Sequence, residues 1–92
     1  NPNRVRSLVA SFCANPVPFH APDGSGYAFL RERVLELDAL NHQIAARLLQ
    51  PLVRWRRYDA HRQDLMRAEL ETILASERLS RDVYEVAAKG LA

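Results

Sequence analysis

Residues 41–74 read NHQIAARLLQPLVRWRRYDAHRQDLMRAELETIL, and their periodicity decides between helix and strand. Asn41 offers a side-chain oxygen to the free amides of a helix start, and Ile44, Ala45, Leu48 and Leu49 recur at the spacing of one helix face. Pro51 has no amide hydrogen and its ring crowds the carbonyl four residues back, so the helix is expected to break near Gln50. Leu52, Val53 and Trp55 prolong the apolar side. Asp59 then offers a fresh cap to a helix on which Leu65, Met66, Leu70, Ile73 and Leu74 share a face. Asp64 with Arg67, and Arg67 with Glu71, have ion-pair spacings on its flank.

The same period extends outward in both directions. Val5, Leu8, Val9 and Phe12 form a helical stripe whose start Asn1 or Asn3 can cap, with Pro2 tolerated in the first turn, and this helix ends near Ala14. Residues 15–26, NPVPFHAPDGSG, hold three prolines and two glycines and predict a long, constrained loop. Leu30, Val34, Leu37 and Leu40 mark a helix over about 27–40, capped by Asp23 or Ser25 and stopped by Asn41. At the other end Ser80 is a cap and Asp82 lies in the positive first turn. Val83, Val86, Ala87 and Leu91 follow, with Lys89 and Gly90 as stop signals. No two-residue alternation competes. The expected architecture is all-α, five or six short antiparallel helices in a single domain over residues 1–92.

Composition agrees with that scale. Ninety-two residues, 48% hydrophobic and 26% charged, make one ordinary globular domain with a small core. A chain of this size without disulfides leans on neighbouring structure for stability. The single cysteine, Cys13, excludes an internal disulfide, which favours a cytoplasmic setting. No apolar run reaches the roughly 18 residues of a membrane span. The opening Asn1-Pro2-Asn3-Arg4 has neither an initiator methionine nor a signal peptide, so the chain is expected to belong to a longer polypeptide.

Charge is local rather than pervasive. The net charge is only +2, yet six arginines between Arg47 and Arg67 face just Asp59 and Asp64. Such a patch suits a focused anionic contact better than a nucleic-acid module, which must neutralise many phosphates at once. Within it, residues 54–62, RWRRYDAHR, interleave arginine with aromatics. The favoured reading is scaffold: Arg54, Arg56 and Arg57 meet the carbonyls of the preceding helix or acidic neighbours, and Trp55 and Tyr58 fill a junction between helices.

No constellation of catalytic residues emerges. His20, His42 and His61 are too far apart for a helical ligand pair, and with Cys13 they form no zinc spacing. Cys13 lies on or beside an apolar stripe and reads as an inert thiol. Asp23-Gly24-Ser25-Gly26 follows no strand and lacks the lysine of a phosphate loop, so it reads as a turn and helix cap. Glu32 and Glu36 occupy a charged helix face rather than a reaction centre. The histidines read as packed or solvent-facing side chains.

Four segments carry a resemblance that spans essentially the whole chain: NPNRVRSLVASF, FHAPDGSGYAFL, IAARLLQPLVRWRRYDAHRQDLMRAELE and LSRDVYEVAAKGLA. In that order and spacing they resemble the extreme C-terminus of the bacterial aminopeptidase N family, zinc-dependent alanyl aminopeptidases of the gluzincin type. The resemblance implies the last part of an armadillo-like C-terminal domain, which walls the internal cavity used by peptide substrates. It implies as partners the preceding helices and the catalytic domain of the same polypeptide, and neither nucleic acid nor membrane. The family's HExxH and GxMEN motifs are absent here, so the resemblance implies zinc in the parent and neither cofactor nor catalysis in this segment. Arg6 in NPNRVR and Arg47 in IAARLL match family positions that look into the cavity, where a guanidinium can bind a carboxylate through two parallel hydrogen bonds. Two other classes remain from the residues alone: a free-standing helical interaction module, and a small nucleic-acid-binding domain using the arginines of 47–67.

Overall fold

The computed structural model describes residues 1–92, the side chain of Pro2 excepted. In chain order the helices are α1 (Pro2–Ala14), α2 (Pro16–Phe19), α3 (Ser25–Asp38), α4 (His42–Leu48), α5 (Gln50–Val53), a 3-10 turn (Trp55–Arg57), α6 (Ala60–Leu74) and α7 (Arg81–Leu91). Among the described residues there is no strand, and no helix is long and apolar enough to cross a membrane.

Local chemistry sets most of these boundaries. The Asn1, Asn41, Asp59 and Ser80 side chains accept from Asn3, Ile44, Arg62 and Val83 amides, so four helices start where a side chain replaces the missing partner of the first turn. The break expected at Pro51 appears as the passage from α4 into the single turn α5. Three details correct the sequence reading. The proline-rich loop contains the one-turn helix α2, because two prolines with φ already near the helical value favour a turn. Neither Asp23 nor Ser25 is the N-cap of α3. Gly24 takes that position in the left-handed region at φ 78, while the Asp23 carboxylate accepts from the Ser25 amide at 2.9 Å. Gly90 does not stop α7 but lies inside it, buried against Val53, where its missing side chain lets α5 approach.

Helices α3, α4, α7 and α6 close a ring, each packing on the next, and α1 with α2 covers the α3–α4 side. The core is wholly apolar: Tyr27, Leu30, Val34 and Leu37 from α3 meet Ala45, Leu49, Leu52, Met66, Leu70, Ile73, Val83 and Ala87. Burying each large aliphatic side chain contributes about 1.5–3 kcal/mol relative to exposure. The α1 stripe is only partly used. Val9 is buried and Val5 and Phe12 pack against the core, whereas Leu8 points outward, as does Leu40 in the turn after α3.

Candidate functional site

The segment RWRRYDAHR divides its labour. Trp55 is buried and donates from Nε1 to the Gly90 carbonyl at 2.9 Å. Arg56 stacks on its ring at 4.2 Å and donates to the Gly90 and Ala92 carbonyls at 3.1 and 2.6 Å. Arg67 lies over the same ring at 5.1 Å. Arginine thus does satisfy helix-terminal carbonyls, as expected, but those of α7, brought alongside by the fold, rather than those of the preceding helix. Asp64 pairs with Arg67 at 2.6 Å, while the Arg67–Glu71 pair expected from spacing is not formed, since Arg67 is turned toward Trp55.

Arg62 anchors the loop before α3. It donates to the His20 carbonyl from Nε and Nη2 and to Asp59 from Nη1. That contact holds the Asp59 carboxyl below its usual range. The His61 ring nitrogen Nε2 donates to the Pro22 carbonyl at 2.8 Å, and His42 pairs with Asp82 across α4 and α7. His20 packs edge-on to Phe19 and against Tyr58 at 4.5 Å, and its Nδ1 is 2.6 Å from the Tyr27 hydroxyl. Burial, and then the nearby Arg62 charge, lower the His20 pKa from its usual 6.5. A histidine so placed is largely neutral at neutral pH.

A groove of about 480 Å³ opens between α1 and the α4–α5 junction. Ala10, Cys13 and Ala14 form its α1 wall, Phe19, His20 and Tyr58 come from the neighbouring segments, and Leu48, Gln50 and Pro51 complete it with two arginines, Arg47 and Arg54. Arg47 is exposed and also borders a second groove of about 500 Å³ toward α7, which holds Asp82, Glu85 and Lys89. Arg6 is exposed on α1, one turn before Ala10 and so on the same helical stripe, but it does not line the first groove. Cys13 borders that groove with its thiol pushed up to about 11 by burial, which keeps it protonated and unreactive at neutral pH. Among the described residues no group of three His, Cys, Asp or Glu could hold a metal ion.

Arg54 and His20 are the groove residues that sequence reasoning assigned elsewhere. Arg47 and Arg54 are seven residues apart, two helical turns, a spacing visible in the sequence but masked by Pro51, which made the second arginine look like part of a helix junction. His20 reaches the groove only through the fold of the proline-rich segment.

Residues 1–92 match the family described as "Domain of unknown function (DUF3458_C) ARM repeats". The chain is 54% identical over 93 aligned positions to an aminopeptidase N of Escherichia coli, with all of this chain covered. It is 53% identical to one from Caulobacter vibrioides and 49% to one from Haemophilus influenzae, each with 99% of this chain covered. It spans 11% of the length of each of these curated relatives. A crystal structure of Legionella pneumophila aminopeptidase A in complex with aspartic acid superposes with a TM-score of 0.91 at 38% identity, covering 99% of this chain and 11% of that one.

Proposed function

Because the chain belongs to the DUF3458_C family of ARM-repeat domains, we propose that it is the non-catalytic helical end of a zinc-dependent aminopeptidase N. In this reading it walls the internal chamber through which peptides reach the catalytic domain of the same polypeptide, in the cytoplasm. The observation that carries the proposal is identity of 49–54% to three aminopeptidases N, extending over the whole chain rather than over one motif. The exposed Leu8 and Val17 suit it, since a repeat of a solenoid leaves apolar surface for the repeat before it.

Among the described residues no His, Cys, Asp and Glu gather into a group that could hold zinc, and the reading assigns the metal to the catalytic domain, where it would activate the attacking water. This chain contributes shape and charge. Arg6 and Arg47 offer guanidinium groups to the carboxylate end of a peptide whose amino end is held at the reaction centre, a contact that orients the substrate without touching the scissile bond. Hydrolysis of an amino-acid amide and of a longer peptide by the full-length polypeptide, with Arg6→Ala and Arg47→Ala introduced, tests this. Loss of kcat/KM for the longer peptide alone is the expected result. Equal behaviour of both substrates in variants and parent would reduce these arginines to solvated scaffold.

A further inference from the structure

We propose that the groove between α1 and the α4–α5 junction binds a carboxylate carrying an apolar body, the last residue of a peptide or a free amino acid, with Arg47 and Arg54 both on the anion. The proposal rests on the reading that Arg47 meets an anion, and adds a second arginine and a pocket to it.

Charge carries the first step. Arg31, Arg33, Arg62, Arg67 and Arg81 are paired with Glu69, Glu36, Asp59, Asp64 and Glu85, and Arg56 is held by backbone carbonyls. Arg47 and Arg54 make no ion pair or side-chain hydrogen bond among the described residues, and no acidic residue lines the groove they share. Two like charges beside one apolar hollow repel each other, and a bound anion converts that repulsion into attraction. The neighbouring groove differs because it contains acids, Asp82 beside His42 and Glu85 beside Arg81.

Shape and hydrogen bonding carry the second. The volume of about 480 Å³ falls within the roughly 300–1,000 Å³ of small-molecule sites. Its walls of Ala10, Cys13, Phe19 and Leu48 match an aliphatic side chain. His20 adds a directional donor. The Tyr27 hydroxyl lies 2.6 Å from His20 Nδ1, and a neutral imidazole can accept the phenol hydrogen there. The ring hydrogen then resides on Nε2, leaving a neutral N–H donor on a residue that lines the groove. Arginines supply charge, the imidazole supplies direction, and the hollow selects an apolar side chain.

Titration calorimetry of the full-length polypeptide with N-acetyl-leucine, whose blocked amine keeps it from imitating a free peptide amino terminus, tests the site. The expected result is saturable binding that weakens about tenfold in Arg54→Gln and in Arg47→Gln, is unchanged in the exposed control Arg57→Gln, and is similarly weakened for N-acetyl-leucinamide. Arg54 is exposed and its side chain makes no hydrogen bond among the described residues, so its replacement by Gln leaves the fold intact. An N-acetylated tripeptide ending in leucine separates the two sources: binding with the same Arg54 dependence assigns the site to peptide ends, and its exclusion while N-acetyl-leucine still binds assigns it to free amino acids. Binding unchanged in Arg54→Gln but weakened in Arg47→Gln would overturn the groove while leaving Arg47 as an anion contact. Absence of N-acetyl-leucine binding would overturn the groove outright, whereas a failure of the peptidase reading alone would leave this binding and its arginine dependence in place.

Discussion

Gly26 has no room for a side chain, because a Cβ there would fall closer than 3.0 Å to the Phe19 and Pro18 carbonyl oxygens. Those oxygens are backbone, so the start of α3 would have to move off α2. Gly26→Ala is expected to destabilise by about 1–3 kcal/mol, read as a lower urea midpoint at unchanged slope. His20 gives a pH signature. Its folded pKa is lowered, so its contribution to stability is complete above the usual 6.5 and is lost as pH falls through the lowered folded value. His20→Gln should therefore flatten the fall in Tm between neutral and mildly acidic pH, and an unchanged slope would show that this ring does not titrate with unfolding. Legibility differed between these two residues. A glycine in a Pro-Gly-rich stretch announces a turn, but the carbonyls that forbid a Cβ arrive from a helical turn that no local pattern announced.

Individual helices are held by their ends as much as by their faces. Asp59 caps α6 through the Arg62 amide and also pairs with the Arg62 guanidinium. Asp59→Ala is expected to lower Tm through loss of the cap, and Asp59→Asn, which keeps the cap oxygen, to lower it less; equal losses would mean that the charge pair rather than the cap dominates. Three residues before that cap, Arg56 satisfies the last carbonyls of α7 while stacked on Trp55. Arg56→Ala removes two carbonyl contacts and a cation–π contact, and about 1–2 kcal/mol of stability is expected to go with them. Hydrogen exchange should localise that loss to faster opening of α7 amides. Caps and breaks were readable because they depend on neighbours within four residues. The partner of Arg56 was not, since α7 lies some 34 residues away in sequence.

At the scale of the molecule, α1 and the α4–α5 junction border a groove lined by two unpaired arginines and by no acid of its own. If this chain is the wall of a peptidase rather than its engine, the purified 92-residue chain hydrolyses no peptide. Turnover by rigorously pure material would place catalysis within these residues and overturn the assignment. The sequence by itself determined the all-α class, four of the helix starts, the break at Pro51 and the family resemblance, because helix period, cap chemistry and proline sterics act within one or two turns. Only the tertiary structure decided that Leu8 faces outward, that Gly90 is a packing site, that Arg56 clamps α7, and that Arg54 and His20 border the same hollow as Arg47. Each of those outcomes depends on which helix lies alongside, and that is set by burial of side chains distant in sequence rather than by any local preference.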